Sequence, residues 1–368
     1  MTPAARKTTA GRRRTATKAA PPRPAQAGRT SAKKVAKKAA AKAPAKIVKK
    51  VAKNVARTVA TTIARTAVKR VTKKAAAKTV RAKGRSLHLG LNFIDPVHYD
   101  GWDGELLACE HDARAMQAIC TANGIKPVVL MTREATRAAV LKQLRRAAKS
   151  LKAGDIFVLT YSGHGGQMDD ATGEEDDGID ETWCLYDAEL IDDELYLELG
   201  KFAKGVRVLV LSDSCHSGTM TRATRPVSTG RVRQMPPDVA RRVYAKHRDF
   251  YNGLQEAVAR AITGRRSAEP DMIASALGLS PQTRAIVRGY TPAVILISGC
   301  MDNQFSRDGD VNGAFTASLL SVWQNGAFTG NYPTFHAAIM AGLPRDQTPN
   351  LFVLGPASKF LAQKPFRR

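Results

Sequence analysis

Two short glycine-flanked segments carry the side chains best suited to covalent catalysis. Tyr161-Ser-Gly-His164-Gly-Gly166 presents a histidine, and Asp213-Ser-Cys215-His-Ser-Gly218 presents a cysteine 51 residues later. A free thiol is mostly protonated at neutral pH, so attack by cysteine needs a neighbouring base or cation that favours the thiolate. Histidine takes and returns a proton in that range. The glycines let the backbone turn sharply and bring N–H groups near a substrate carbonyl. Cys215 therefore reads as a nucleophile and His164 as its general acid/base. His216 points elsewhere on the turn and reads as non-catalytic. The five cysteines are widely spaced, odd in number and without a Cys-x-x-Cys pair. That argues against a disulfide framework or a structural zinc site and fits reduced thiols in a cytoplasmic compartment. Cys109, Cys120, Cys184 and Cys300 read as structural.

Elements that end in the right places must position such a pair. Ile156–Tyr161, Val206–Leu211 and Ala293–Ser298 are near-continuously apolar, β-branched and six residues long. Strands buried on both faces look like this, which predicts an α/β fold with a mostly parallel central sheet and helices on both faces. Leu87–Phe93 and Pro127–Met131 read as further strands, and Leu351–Leu354 as a last one. Helices are predicted over 105–122, from Thr132 as N-cap to about 151, and near 194–204, 237–262 and 313–324. Residues 217–236 and 263–291, rich in Arg, Pro and Gly, read as loops. In an open sheet of this kind ligands bind beyond the carboxyl ends of the strands, where His164 and Cys215 both stand.

With these residues in view a resemblance emerges. The His164 and Cys215 segments resemble the two active-site motifs of the metacaspases, relatives of the caspases. Ala108-Cys-Glu-His-Asp-Ala113 is similar to the family's early segment, and Ser298-Gly-Cys-Met-Asp-Asn-Gln304 with Gly313-Ala-Phe-Thr316 to its late one. The caspase Gln-Ala-Cys-Arg-Gly signature is absent, while the 51-residue His–Cys separation is close to that of caspases, about 50. The resemblance spans about 86–355. It implies Cys215 as nucleophile, His164 as acid/base, and an oxyanion hole from the amides of Gly165 and Cys215. It also implies a pocket lined by Asp112, Asp213 and Ser162 for the residue before the scissile bond. A carboxylate pair there would bind Arg or Lys by charge-assisted hydrogen bonds, so protein or peptide substrates cut after Arg or Lys are expected. Members of the family are often monomeric, and a monomer is expected here.

Between Asp169 and Thr182 lie eight carboxylates in fourteen residues, and Asp192 and Asp193 follow. Oxygen donors at this density suit Ca²⁺, which the resemblance adds as an activator of several metacaspases. Asp176, Asp177, Asp192 and Asp193 are the candidate ligands. The spacing is not an EF-hand loop, and the acidic residue usual soon after the cysteine motif is missing from Thr219-Met-Thr-Arg-Ala-Thr-Arg225. A calcium site and a solvated acidic loop are both open. The chemistry itself needs no cofactor.

The net charge of +26 is a property of one end. Residues 1–85 hold 27 Lys and Arg and no Asp or Glu, whereas 86–368 are nearly balanced at −1. The chain thus divides into a basic Ala/Lys/Arg-rich tail or prodomain, 1–85, and a peptidase domain, 86–368. With no aromatic residue and little large apolar surface, the tail is expected to be disordered over 1–46. Ile47, Val51, Val55, Val59 and Ile63 recur every four residues and would form a basic amphipathic helix or a solvated coil. Nucleic acid, an acidic membrane surface, or the acidic loop of the same chain would each attract it; held on that loop, its Lys and Arg would also be self-cleavage sites of a prodomain that shields the cleft until removed. No run of about 18 apolar residues exists, so no membrane span is expected. An esterase reading fails for want of a Gly-x-Ser-x-Gly elbow. A nucleic-acid-binding protein with an inactive caspase-like scaffold is the alternative that the tail permits.

Overall fold

Alternation along three strands builds two cores. In a computed structural model the protein is described over residues 81–172, 178–215, 231–262, 281–300 and 304–368. In chain order these form β1 (Gly84–Gly90), α1 (Cys109–Ala122), β2 (Lys126–Met131), α2 (Arg137–Ser150), β3 (Ile156–Ser162), β4 (Gly165–Asp169), β5 (Ile179–Cys184), β6 (Glu189–Ile191), α3 (Asp192–Leu199), β7 (Arg207–Asp213), α4 (Pro237–Lys246), α5 (Arg248–Ile262), α6 (Pro281–Val287), β8 (Ala293–Ser298), α7 (Ala314–Trp323), α8 (Tyr332–Ala341), β9 (Asn350–Leu354) and α9 (Ser358–Leu361). The main sheet runs β2-β1-β3-β7-β8-β9, parallel throughout except for the antiparallel edge strand β9.

Phe157, Leu159, Val208, Val210, Val294 and Leu296 face one way, against Val140 and Leu144 of α2, Leu195 of α3, and Val243 and Tyr251 of α4 and α5. The intervening Ile156, Val158, Leu209, Leu211, Ile295 and Ile297 face the other, against Met116 and Ile119 of α1, Leu319 of α7 and Ile339 of α8. Side chains two apart share a face of a strand, so an unbroken apolar run is what a sheet covered on both sides requires. The α/β architecture is therefore as the sequence predicts.

Several details differ. β1 begins at Gly84, ahead of the predicted Leu87 and of the domain boundary at 86, because Lys83 N–H donates to Asp155 and the strand zips onto β3 from Gly84. Thr132 does not cap α2. It sits in a 3₁₀ turn at φ +37°, its hydroxyl donating to Glu110, while Thr136 caps the helix by accepting from Ala139 N–H at 3.2 Å. The 237–262 helix is broken at His247, which leaves helical geometry and stacks on His98 with ring centroids 4.1 Å apart. Within the predicted 263–291 loop, Pro281–Val287 is helical.

A second, three-stranded antiparallel sheet, β4-β5-β6, is absent from the sequence reading. Its strands are short and mix Gly, Asp and Glu with apolar residues, so no period stands out. The tail up to residue 80 lies outside the described residues. No helix among the described residues is long and apolar enough to cross a membrane.

Candidate active site

β3 and β7 are neighbours at the centre of the main sheet, with Ser162 paired to Asp213 at their ends. His164 and Cys215 each stand two residues further on, so adjacent parallel strands deliver both to one edge. The Ser162-Gly-His turn is held by Tyr161, whose hydroxyl donates to the carbonyls of His164 at 2.6 Å and Cys184 at 3.0 Å. A Cβ on Gly163 would come within 2.7 Å of that hydroxyl, which is why glycine is needed here.

His164 is buried beneath Trp102, ring centroids 4.7 Å apart, and its Nε2 lies 2.9 Å from the carbonyl oxygen of Gly104. A carbonyl only accepts, so Nε2 carries the proton and the neutral ring keeps its lone pair on Nδ1. That nitrogen is buried with no hydrogen-bond partner among the described residues. Burial pulls the ring down to about 4, against the backbone of Gly104 and Gln234, which favour the charged form. The histidine is thus held neutral, in the state a base requires. The Cys215 thiol is also buried. It donates to the Ser306 carbonyl at 3.6 Å and accepts from the Ser306 N–H, and no hydrogen bond joins it to His164.

Asp112, Asp213 and Ser162 come together, around a guanidinium that the sequence reading placed in a loop. Arg233 is fully buried, and its Nη2 donates to Asp112 Oδ2 at 2.7 Å and Asp308 Oδ1 at 2.9 Å. Its Nη1 pairs with Asp213 Oδ2 at 2.9 Å and donates to Ser162 Oγ at 2.8 Å. Burial alone would lower the guanidinium's pKa, but Asp213, Asp112 and Asp308 hold it well above its ordinary range.

Each pocket carboxylate is fixed from behind. Asp112 accepts from Asn312 Nδ2 at 2.8 Å and Gly313 N–H at 3.1 Å, and Asp213 from Thr316 Oγ1 at 2.9 Å. Asp308 accepts from Leu107 N–H at 2.7 Å and Ala108 N–H at 3.3 Å, at the start of α1, where the helix dipole favours an anion. A Cβ on Gly313 would sit 2.5 Å from Arg233 Nη2, so that wall of the pocket has no room for a side chain.

The amides of Gly165 and Cys215 converge on one oxygen, the main-chain carbonyl of Arg233, at 3.1 Å from each. Donors at this distance from a single point are the arrangement that stabilises a developing oxyanion. The loop residues Ser306, Asp308 and Arg233 escaped the sequence reading. For Asp308 the available signal was its place five residues before Gly313-Ala-Phe-Thr316; Arg233 had none, because isolated arginines in Pro/Gly-rich stretches are common.

Residues 93–361 match the caspase domain family. The chain belongs to that family. Metacaspase-1 of Saccharomyces cerevisiae strain S288c is 29% identical over 263 residues, covering 64% of this chain and 57% of the yeast protein. Metacaspase-1 of Schizosaccharomyces pombe is 31% identical over 261 residues, 66% of this chain and 59% of that one. The chain therefore spans less than two thirds of the length of either. A Geobacter sulfurreducens protein of solved structure is 49% identical and superposes with a TM-score of 0.66, over 77% of this chain and 98% of the other.

Within this caspase domain the other four cysteines are buried and unpaired as disulfides. Burial pushes Cys109 and Cys120 up to about 12, and Cys184 well above its usual range. Cys300 donates to the Ser214 carbonyl at 3.4 Å. Of the four candidate calcium ligands, Asp176 and Asp177 lie outside the described residues. Asp192 and Asp193 open α3, where Asp193 is buried and accepts from the Thr283 hydroxyl. Among the described residues no three His, Cys, Asp or Glu side chains gather closely enough to hold a metal ion.

Proposed function

We propose that the protein is a cysteine endopeptidase that cleaves after arginine, and more slowly after lysine. The observation that carries this reading is a guanidinium seated among Asp112, Asp213 and Asp308 while the carbonyl of the same residue meets the Gly165 and Cys215 amides. A planar guanidinium can serve three carboxylates and a hydroxyl at once, whereas a lysine ammonium has three donors and no fork. Three carboxylates would repel an aspartate.

In the reaction the Cys215 sulfur, its proton taken by His164 Nδ1, adds to the carbonyl carbon and the oxygen becomes an oxyanion held by the two amides. As the C–N bond breaks, the protonated His164 gives its proton to the leaving nitrogen, and a thioester remains. Water then loses a proton to His164 and adds to the thioester; the C–S bond breaks, releasing a C-terminal carboxylate and the thiol. The Nε2–Gly104 bond keeps Nδ1 as the working nitrogen through both halves.

Calcium dependence belongs to the same reading and would rest on the acidic stretch together with Asp192 and Asp193, of which Asp193 accepts from the Thr283 hydroxyl. The 27 basic residues of the tail support attachment to a phosphate-rich polymer. The test is hydrolysis of fluorogenic peptides ending in Arg, Lys or Asp, with and without millimolar Ca²⁺, using Cys215→Ala as control. Turnover after Arg that the variant lacks supports the reading. Preference for Asp removes the pocket assignment, and no turnover under any condition favours an inactive scaffold that binds nucleic acid.

A further inference from the structure

We propose that the stacked pair His98–His247 is the seat of the catalytic base: it fixes the loop whose Trp102 and Gly104 hold His164 neutral and correctly turned. The role given to His164 rests on the peptidase reading above; the seat adds positioning residues remote from the reacting atoms. The loop, 94–104, joins β1 to α1 and is closed by the Ile94 N–H donating to the Asp103 carbonyl at 2.9 Å. Inside it the His98 and Tyr99 N–H groups both donate to the Asp95 carbonyl at 3.1 Å, and Trp102 N–H to the Tyr99 carbonyl at 3.0 Å. Asp100 takes φ +54°, a conformation that a non-glycine residue keeps only where its surroundings hold it. Asp95 N–H donates to the Tyr186 carbonyl at 2.9 Å and the Tyr99 hydroxyl to the Leu185 carbonyl at 2.7 Å. Further anchors come from the corner between α4 and α5. Lys246 Nζ donates to the Val97 carbonyl at 2.7 Å, His247 Nε2 to the His98 carbonyl at 3.1 Å, and Arg242 Nε to Asp100 Oδ2 at 2.8 Å. The Tyr251 hydroxyl lies 2.6 Å from His98 Nε2. The Arg242–Asp100 pair is exposed and contributes little, whereas Tyr251 is fully buried.

The break at His247 lays its ring on His98, with planes within 7° of parallel. A carbonyl only accepts, so Nε2 is the protonated nitrogen of His247. The Tyr251 hydroxyl accepts from the Glu189 N–H at 3.2 Å, which leaves its own hydrogen for His98 Nε2. Burial first, and then His247 and Lys246, pull His98 down to about 4 against Asp95, so its ring stays neutral near pH 7. From His98 the contacts run inward. Tyr99 meets Trp102 edge-on with ring centroids 6.3 Å apart, and Trp102 lies over His164 at 4.7 Å. Gly104 accepts from His164 Nε2, and a Cβ there would stand 3.1 Å from His164 Cδ2, so the loop backbone lies directly against the ring. Burial is what holds His164 low, with Arg233 lowering it further and Asp308 raising it as its charged neighbours. Losing the stack frees the Trp102–Gly104 cover, admits water and lets His164 rise towards the 6.5 of an exposed ring. Turnover then suffers, while the carboxylates Asp112, Asp213 and Asp308 that bind the substrate side chain stay in place.

The seat can be measured without turnover, by carbon NMR of ring-labelled histidine in the full chain carrying Cys215→Ala, with His164→Gln assigning the signal. The His164 midpoint should lie near 4. It should rise by about one pH unit or more in His247→Leu, which keeps the volume but loses the flat face and the N–H. His247→Phe restores the face and should return the midpoint to within about half a unit. If His247→Leu fails to fold, His247→Gln, which keeps a donor for the His98 carbonyl but no ring, takes its place with the same expected rise. With Cys215 present, loss of the stack should lower kcat on an Arg-ending fluorogenic peptide about tenfold, with KM within about twofold, and His247→Phe should recover most of it. A His164 midpoint unmoved by loss of the stack, or moved equally by Leu and Phe, overturns the seat and leaves the peptidase reading standing. No turnover after Arg or Lys with His247 intact overturns the peptidase reading, and with it the part of the stack in catalysis.

Discussion

The Arg233 guanidinium meets the Asp112 carboxylate at 2.7 Å, with the two side chains 0% and 1% exposed to water. Burying either charge alone would be costly, since desolvation of a lone buried charge far exceeds what a single hydrogen bond returns. The pair thus ties a loop residue to α1 and makes occupancy of the pocket a condition of its stability. Truncating one partner leaves a buried charge uncompensated, which costs about 3–5 kcal/mol. Asp112→Ala should lower the urea-unfolding free energy of the Cys215→Ala background by that order. Adding Arg233→Ala should then cost less than its effect alone, with a coupling of about 1–3 kcal/mol in the double-mutant cycle. Strictly additive losses would mean that the contact is not energetically formed.

Gly313 closes the wall beside the guanidinium, and a methyl there would stand 2.5–2.6 Å from Nη2, Cζ and Nη1. Gly313→Ala should therefore shift any arginine in the pocket by about an ångström and reduce kcat/KM for Arg-ending peptides by about 100-fold. The amide of residue 313 still reaches Asp112, so far-ultraviolet circular dichroism should be unchanged. Unaltered kinetics would place the substrate side chain elsewhere.

Two buried histidines set an acid limit on stability. Burial holds His88 at about 3 and His164 at about 4, both below the 6.5 of an unfolded chain. Their folded-state pKa values are depressed, so below pH 6.5 the unfolded chain gains protons that the folded one refuses. Stability should fall as pH drops from 6.5 towards 4, by about 1.4 kcal/mol per pH unit for each ring. Urea titrations at pH 7, 6 and 5 measure this; a midpoint that rises on acidification would contradict the burial of both rings.

Glu189 acts in the opposite sense. Burial raises its carboxyl to about 7 from 4.5, with the Thr182 hydroxyl donating to it. A raised carboxyl stabilises the fold below pH 4.5, and the benefit is lost as pH rises through 7. Glu189→Gln keeps an acceptor for Thr182 and removes the buried charge, so at pH 8 it should be more stable by on the order of 3 kcal/mol. It should also steepen the acid loss between pH 6.5 and 5, where the histidines then act unopposed. A variant less stable than the parent at pH 8 would show the carboxylate to be solvated or paired.

The parallel sheet was legible from residue order alone, because an apolar β-branched run such as Ala293–Ser298 has one stable home, a strand covered on both faces. It also brought His164 and Cys215 to one edge, since each follows such a run by a few residues and the carboxyl ends of adjacent parallel strands lie side by side. Asp112 and Asp213 were legible as a pair only through their motifs, being 101 positions apart. Everything carried by irregular backbone depended instead on long-range contacts. The β4-β5-β6 sheet has too few apolar residues to leave a period, and Thr132 lost its capping role to Thr136 because its hydroxyl was taken by Glu110. Above all, nothing in Val232-Arg-Gln-Met-Pro distinguishes Arg233 from the other arginines of its stretch. Its role comes from long-range contacts, with Asp112 at a separation of 121 residues and Asp308 at 75. Local propensity reports what a segment prefers, and only the folded chain reports what it meets.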